Sequence, residues 1–198
     1  MFEVGEDAQQ RPHLASHLTA FVAALGAARP AFRHLDPARI LFVAGAARRG
    51  ARASVRGLAA GPDEVGRGLG KPTVTVAGRR MLYEVCLRPR FFLAARPAER
   101  ARILAHELWH IGPGFDGRLH PDRRHQAASA EALDAALDAD LDGFDPRRTE
   151  LWPLLERKGE LRMPAWLDRP PSLIPQGSAG HRAAYDERDL FSAVVLQR

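Results

Sequence analysis

A chain of 198 residues, 45% apolar and 27% charged, is long enough to bury one core and too mixed for a fibrous or disordered protein. No apolar run approaches the roughly 20 residues that span a membrane, Met1 to Asp7 lack a secretory signal's pattern, and Cys86 stands alone, so no intrachain disulfide can form. The net charge of +5 rests almost wholly on arginine and invites a nucleic-acid reading, but no basic stripe interleaved with aromatics accompanies it. Arg48, Arg49, Arg52 and Arg56 form the one tight basic cluster. The expectation is a cytoplasmic protein with no membrane partner, its arginines scattered over a solvated surface.

Residues 1–10 carry no pattern. From Pro12 to Leu25 the apolar residues Leu14, Leu18, Phe21, Val22 and Leu25 make a helical stripe that stops near Gly26. His13 and His17 share a face of it, with no carboxylate or third ligand nearby, and read as surface residues. Arg39 to Val43 reads as a buried strand, with Ala51 to Leu58 as its neighbour. After a Gly/Pro loop, Thr73 to Val76 and Met81 to Leu87 flank a turn at Gly78, so the region predicts a hairpin or a meander of three or four strands. Pro89 assigns Arg90 to Leu93 to an edge strand or its flank. An extended peptide could pair along such a strand, or the segment could only pack Phe91 and Phe92.

The most informative stretch follows. A helix starts around Pro97, with Glu99 in its first turn, and Gly112-Pro113-Gly114 stops it. It carries His106-Glu107-Leu108-Trp109-His110. Histidines four apart lie one turn apart on one face, so two imidazoles can reach one tetrahedral Zn²⁺. Glu107 flanks that face, where a carboxylate can take the proton of a zinc-held water without ligating the metal. Trp109 reads as a packing residue. Four of the eight histidines fall between His106 and His125.

Phe115 to Gln126 is a polar loop that offers Asp116, His120, Asp122 and His125. Ser129 caps a helix to Asp142, with Gly143 as its stop and Asp134, Asp138, Asp140 and Asp142 as a solvated face. Met163 to Gly180, rich in Pro, Gly and Ser, reads as an extended arm. Leu190, Phe191, Val194 and Val195 give the C-terminal segment enough apolar character to dock. The organisation expected is a domain over 1–160, with 161–198 an arm and terminal segment packed on it.

The run Ile103 to Gly117, Ile-Leu-Ala-His-Glu-Leu-Trp-His-Ile-Gly-Pro-Gly-Phe-Asp-Gly, resembles zinc metallopeptidases encoded in phage and bacterial genomes, as does Tyr83 to Pro89. The likeness covers roughly residues 75–125. It implies an α+β, zincin-like fold with a small, mostly antiparallel sheet packed on the zinc helix, and hydrolysis of peptide bonds. It carries over His106 and His110 as ligands and Glu107 as general base, while the loop after Gly117 departs from the family pattern. His120 lies closest to the family's ligand position and is the first choice for third ligand, with His125 and Asp116 as alternatives.

Metzincins place their third ligand at the position of Asp116, but the glycine that turn uses is Pro113 here. Met163-Pro164 could mimic their methionine turn, and Glu131 is the candidate for a ligand from a later helix. SprT-like proteases acting on DNA-bound proteins also share the motif. For the developing oxyanion the candidates are Tyr83, Tyr185 and the arginines near Arg88. The expected partner is a peptide or protein substrate. Two rivals stand beside the peptidase: a zinc-binding regulatory module that cleaves nothing, and a basic nucleic-acid-binding domain.

Overall fold

The computed structural model describes residues 11–45, 51–123, 129–177 and 182–198. In chain order they form α1 (Leu14–Ala28), β1 (Ile40–Ala44), β2 (Ala53–Gly57), α2 (Pro62–Gly66), β3 (Leu69–Gly70), β4 (Thr73–Val76), β5 (Arg79–Arg80), β6 (Tyr83–Leu87), α3 (Pro89–Ala94), α4 (Pro97–Trp109), α5 (Ala130–Leu141), α6 (Trp152–Glu156), β7 (Gly159–Trp166), β8 (Ile174–Pro175), β9 (Ala184–Asp186) and β10 (Leu190–Gln197). The fold is α+β. Its main sheet has five strands in the order β10-β7-β1-β6-β2.

That sheet is mixed, which corrects the expectation of a mostly antiparallel one. β1 pairs in parallel with β6 and, at Ala44 with Ala165, with β7, while β2 and β10 run antiparallel on the two edges. Nor is the region 39–87 a meander: β6 returns to lie between β1 and β2, and β4 and β5 leave to join β9 in a separate three-stranded sheet. The β4–β5 turn does fall at Gly78. Ala77 and Gly78 both take positive φ, the backbone of a two-residue hairpin turn.

Alternation along β1 divides the interior in two. Ile40 and Phe42 join Tyr83, Val85 and Leu87, the stripe of α1 and the inner face of α4 in the larger core. Leu41 and Val43 face the other way and meet Cys86, Val74, Met81 and Tyr185 beneath the smaller sheet. The α1 stripe is the one read from the sequence: Leu14, Leu18, Phe21, Val22 and Leu25 are all buried.

Two segments differ from expectation because proline was read as a strand breaker. Pro89 instead opens α3 as its first residue, where its fixed φ suits a helix and its missing N–H is no loss. Phe91 and Phe92 of α3 are buried, so the segment is no edge strand. The supposed arm begins within β7, an internal strand in which Leu161, Met163 and Ala165 are buried. The boundary drawn at 160/161 thus falls inside a strand, and Met163-Pro164 is no turn. The Arg162 N–H points away from β10 to Pro12 O, at 2.8 Å. Pro164, two residues on, has its nitrogen on that same side, so its missing donor breaks no bond of the β7–β10 ladder.

On the smaller-core side, β6 carries a buried carboxylate. Glu84 accepts from Arg56 Nη2 at 2.7 Å, Trp166 Nε1 at 2.8 Å and Arg169 Nη2 at 2.6 Å. One acid thus joins β2, β6, β7 and the chain just past β7. Among the described residues, no helix is long and apolar enough to cross a membrane.

Candidate metal centre

α4 begins as its sequence signals: Pro97 is first, and the Glu99 carboxylate turns back to accept from the Arg96 N–H at 3.2 Å. Ala101, Leu104, Ala105 and Leu108 bury one face against the larger core. His106 and Glu107 stand on the adjoining, partly exposed face, and His110 is the buried C-cap.

The two histidines converge. His106 Nε2 and His110 Nε2 lie 3.1 Å apart with ring planes nearly perpendicular. Two nitrogens held at 2.0–2.1 Å in a tetrahedral shell stand about 3.3 Å from each other, so the pair fits two positions of one zinc ion. The turn that sets His110 is pinned at its last carbonyls. Trp109 O accepts from Arg123 Nη1 at 2.9 Å, His110 O from the His120 N–H at 2.8 Å and Ile111 O from His34 Nε2 at 3.1 Å. Trp109 packs, as expected, though against α5: its Nε1 donates to Asp140 at 2.7 Å and Arg123 covers its ring.

Glu107 lies against the edge strand β2, where its carboxylate accepts from the Val55 N–H. The Arg52 carbonyl and the Leu58 N–H bond toward β6, so the odd-numbered residues between them direct their backbone outward. Burial pushes the Glu107 carboxyl up to about 7, against the pull of the Val55 N–H and of Arg88. A carboxyl poised there exchanges protons readily at neutral pH.

Two clefts run beside β2. One, of about 500 Å³, is lined by Ala51 to Ala53, Arg90, Arg102, Ile103, His106, Glu107 and Asp134. The other, larger at about 680 Å³, begins at Val55 and continues over Gly57, Ala59, Lys71 and the loop Gly112–Pro121. His106 and Glu107 both line the smaller one. His120 and Asp116 line the larger, where His120 Nδ1 accepts from the Asp122 N–H and Asp116 pairs with Arg118. Among the described residues, no three His, Cys, Asp or Glu side chains gather closely enough to hold one ion. His120 and Asp116 therefore do not join His106 and His110 in such a group, and His125 lies outside the described residues.

The tyrosines proposed for the oxyanion are elsewhere. Tyr83 is fully buried, its hydroxyl donating to Arg118 O and accepting from the Gly117 N–H, both at 3.0 Å. It anchors the loop after α4. That loop also needs Gly117, which has φ of 84° and whose added Cβ would lie 2.8 Å from Ala59 Cβ. Tyr185 belongs to the smaller core, beneath Arg182. Arg88 stays near the site: it acts on the Glu107 charge and donates to Ser54 Oγ at 2.9 Å.

Sequence reasoning missed Asp134 as a cleft residue and Arg102 as its partner, at 3.1 Å. Asp134 lies five residues after the cap Ser129, and its role depends on α5 lying beside α4, where Arg102 reaches it and Asp138. Glu131, the candidate from that helix, is exposed and does not line the cleft. No known protein family, curated protein or solved structure matches this chain significantly.

Proposed function

We propose that this chain is a zinc-dependent metallopeptidase of the zincin type, with His106 and His110 as ligands and Glu107 as general base. One observation carries the reading: two histidine Nε2 atoms 3.1 Å apart, with a half-buried carboxyl between them in sequence, beside an edge strand. Bound Zn²⁺ would supply a Lewis acid for the peptide carbonyl and would bring the pKa of a water at its open position toward about 7. Glu107 takes the proton on its carboxylate and later delivers it to the departing amine. The Val55 N–H holds that carboxylate in place, and Arg88 tempers its proton affinity. β2 borders both clefts, so an extended substrate runs along the edge that precedes the site in sequence, not along Arg90 to Leu93.

The rival zinc module that cleaves nothing has the same ligands and differs at Glu107. The nucleic-acid reading finds less support, because Arg52, Arg56, Arg102, Arg169, Arg182 and Arg188 are each paired with a carboxylate. The test is Glu107→Gln. The variant should keep its zinc and lose at least about 100-fold in hydrolysis of a denatured protein that the wild type cleaves. Full activity in the variant would refute the role of Glu107. A wild type that holds zinc and cleaves nothing would favour the silent module.

A further inference from the structure

The sheet has a second edge, β10, and it lacks the usual protection. Leu190 to Gln197 contains no charge, proline or glycine, the devices that keep edge strands from pairing. Phe191, Ala193 and Val195 bond inward to β7, because their partners Ala165, Met163 and Leu161 alternate with Arg162, whose N–H points away. Leu190, Ser192, Val194 and Leu196 therefore direct their backbone outward. α3 closes the edge at one end, where Phe92 O takes the Arg198 N–H at 3.1 Å. Among the described residues the open stretch is Leu190 to Leu196, with Ala193 at its centre.

Exposed apolar side chains collect at this edge. Among the described residues, the large hydrophobics that stand most exposed are Val65, Leu93, Leu167, Phe191, Val194 and Leu196. Three of them belong to β10, Leu167 adjoins its start by bonding Asp189, and Leu93 lies on α3, which packs against its end. Such a patch, beside backbone that no described residue pairs, marks an interface.

We propose that β10 pairs antiparallel with β10 of a second copy about a two-fold axis at Ala193, joining two five-stranded sheets into one of ten. The strand is complementary to itself in that register. Leu190 meets Leu196 and Ser192 meets Val194, so all four outward residues find hydrogen-bonding partners. On the alternate positions Phe191 meets Val195, and the small Ala193 meets its own copy, where strands approach to about 4.5 Å. Beyond the strand this register sets Arg198 opposite Arg188 of the other copy, whose charge Asp186 already pairs, with the exposed Glu187 next to it, while Asp189 is paired with Arg182. An isologous pairing consumes the edge and ends in a closed dimer.

Sedimentation equilibrium of the full chain at roughly 50 µM, a concentration suited to a small interface, should give twice the 21.8 kDa chain mass. Ser192→Pro removes an outward N–H and spares the β7 ladder, so it should give the single-chain mass with unchanged circular dichroism. Should that variant fail to fold, Val194→Lys, which leaves the backbone intact, takes its place with the same expected result. Ala193→Cys should form a disulfide-linked dimer under mild oxidation, since opposed Cα atoms fall within disulfide range, whereas the buried Cys86 should not link the wild type. A single-chain mass for the wild type, open-ended aggregates, or an Ala193→Cys protein that links no more than the wild type would overturn the proposal.

Discussion

Arg100 offers the sharpest test of how α4 is held. It is buried at 1% exposure, and among the described residues no Asp or Glu side chain pairs with it. Its guanidinium donates instead to four carbonyls: Phe91 O at 3.1 Å, Leu155 O at 2.6 Å, Phe92 O at 2.7 Å and Arg198 O at 2.7 Å. Those oxygens belong to α3, α6 and the residue after β10, so a single side chain on α4 fastens three other elements. Bonds from a charged donor contribute about 1.5 kcal/mol each at the low end, or roughly 6 kcal/mol for the set. Arg100→Met gives that up and strands four carbonyls, but relief from burying a cation returns several kcal/mol. The net cost is about 3 kcal/mol, a large share of the stability of a domain this size. Arg100→Lys, with one compact ammonium, should lose roughly half as much. Urea unfolding followed by circular dichroism reads this as a lowered midpoint at an unchanged slope. A midpoint for Arg100→Met corresponding to less than about 1 kcal/mol would show that the four bonds do not hold the elements together.

Three further expectations concern the site. The double variant His106→Ala, His110→Ala should emerge from purification with no zinc by elemental analysis, and a wild-type content would end the metal assignment. His120 has its ring nitrogen engaged by the Asp122 N–H in the other cleft, so His120→Ala should leave zinc affinity unchanged at neutral pH while His125→Ala weakens it at least about tenfold. The reverse pattern would make His120 the third ligand. Tyr83→Phe leaves the Gly117 N–H unpaired, and should cost about 1–3 kcal/mol in thermal or urea unfolding, with protease nicking between Gly112 and Pro121 as the visible sign.

Helix α4 was legible because its signals are local: a proline at the first position, an acid in the first turn, a glycine stop and two histidines one turn apart. The α1 stripe was legible for the same reason. Pairing was not, since nothing local in Ile40 to Ala44 says that residues 83–87 will lie beside them in parallel. β7 did carry a period of two, with Leu161, Met163 and Ala165 inward, but Pro164 concealed it until the side of its missing donor was known. Pro89 misled in the opposite sense, because proline at a strand's end and proline at a helix's start look alike in sequence. The clefts needed both β2 and α5 in place, so the partners of Glu107 and of Asp134 lay beyond any reading of spacing.

The buried Glu84 bears on how this sequence can drift. A change at Glu84 alone would leave the half-buried Arg56 and the more exposed Arg169 without the carboxylate they share, while a change at either arginine leaves the other still bonded to the acid. Substitutions in this trio are therefore tolerable only in certain orders: one arginine can go first, but losing both strands the fully buried acid. A lineage that exchanged all three for apolar residues would pass through intermediates of very unequal fitness. Relatives of this chain should then carry either the whole trio or none of it, with the half-way forms scarce.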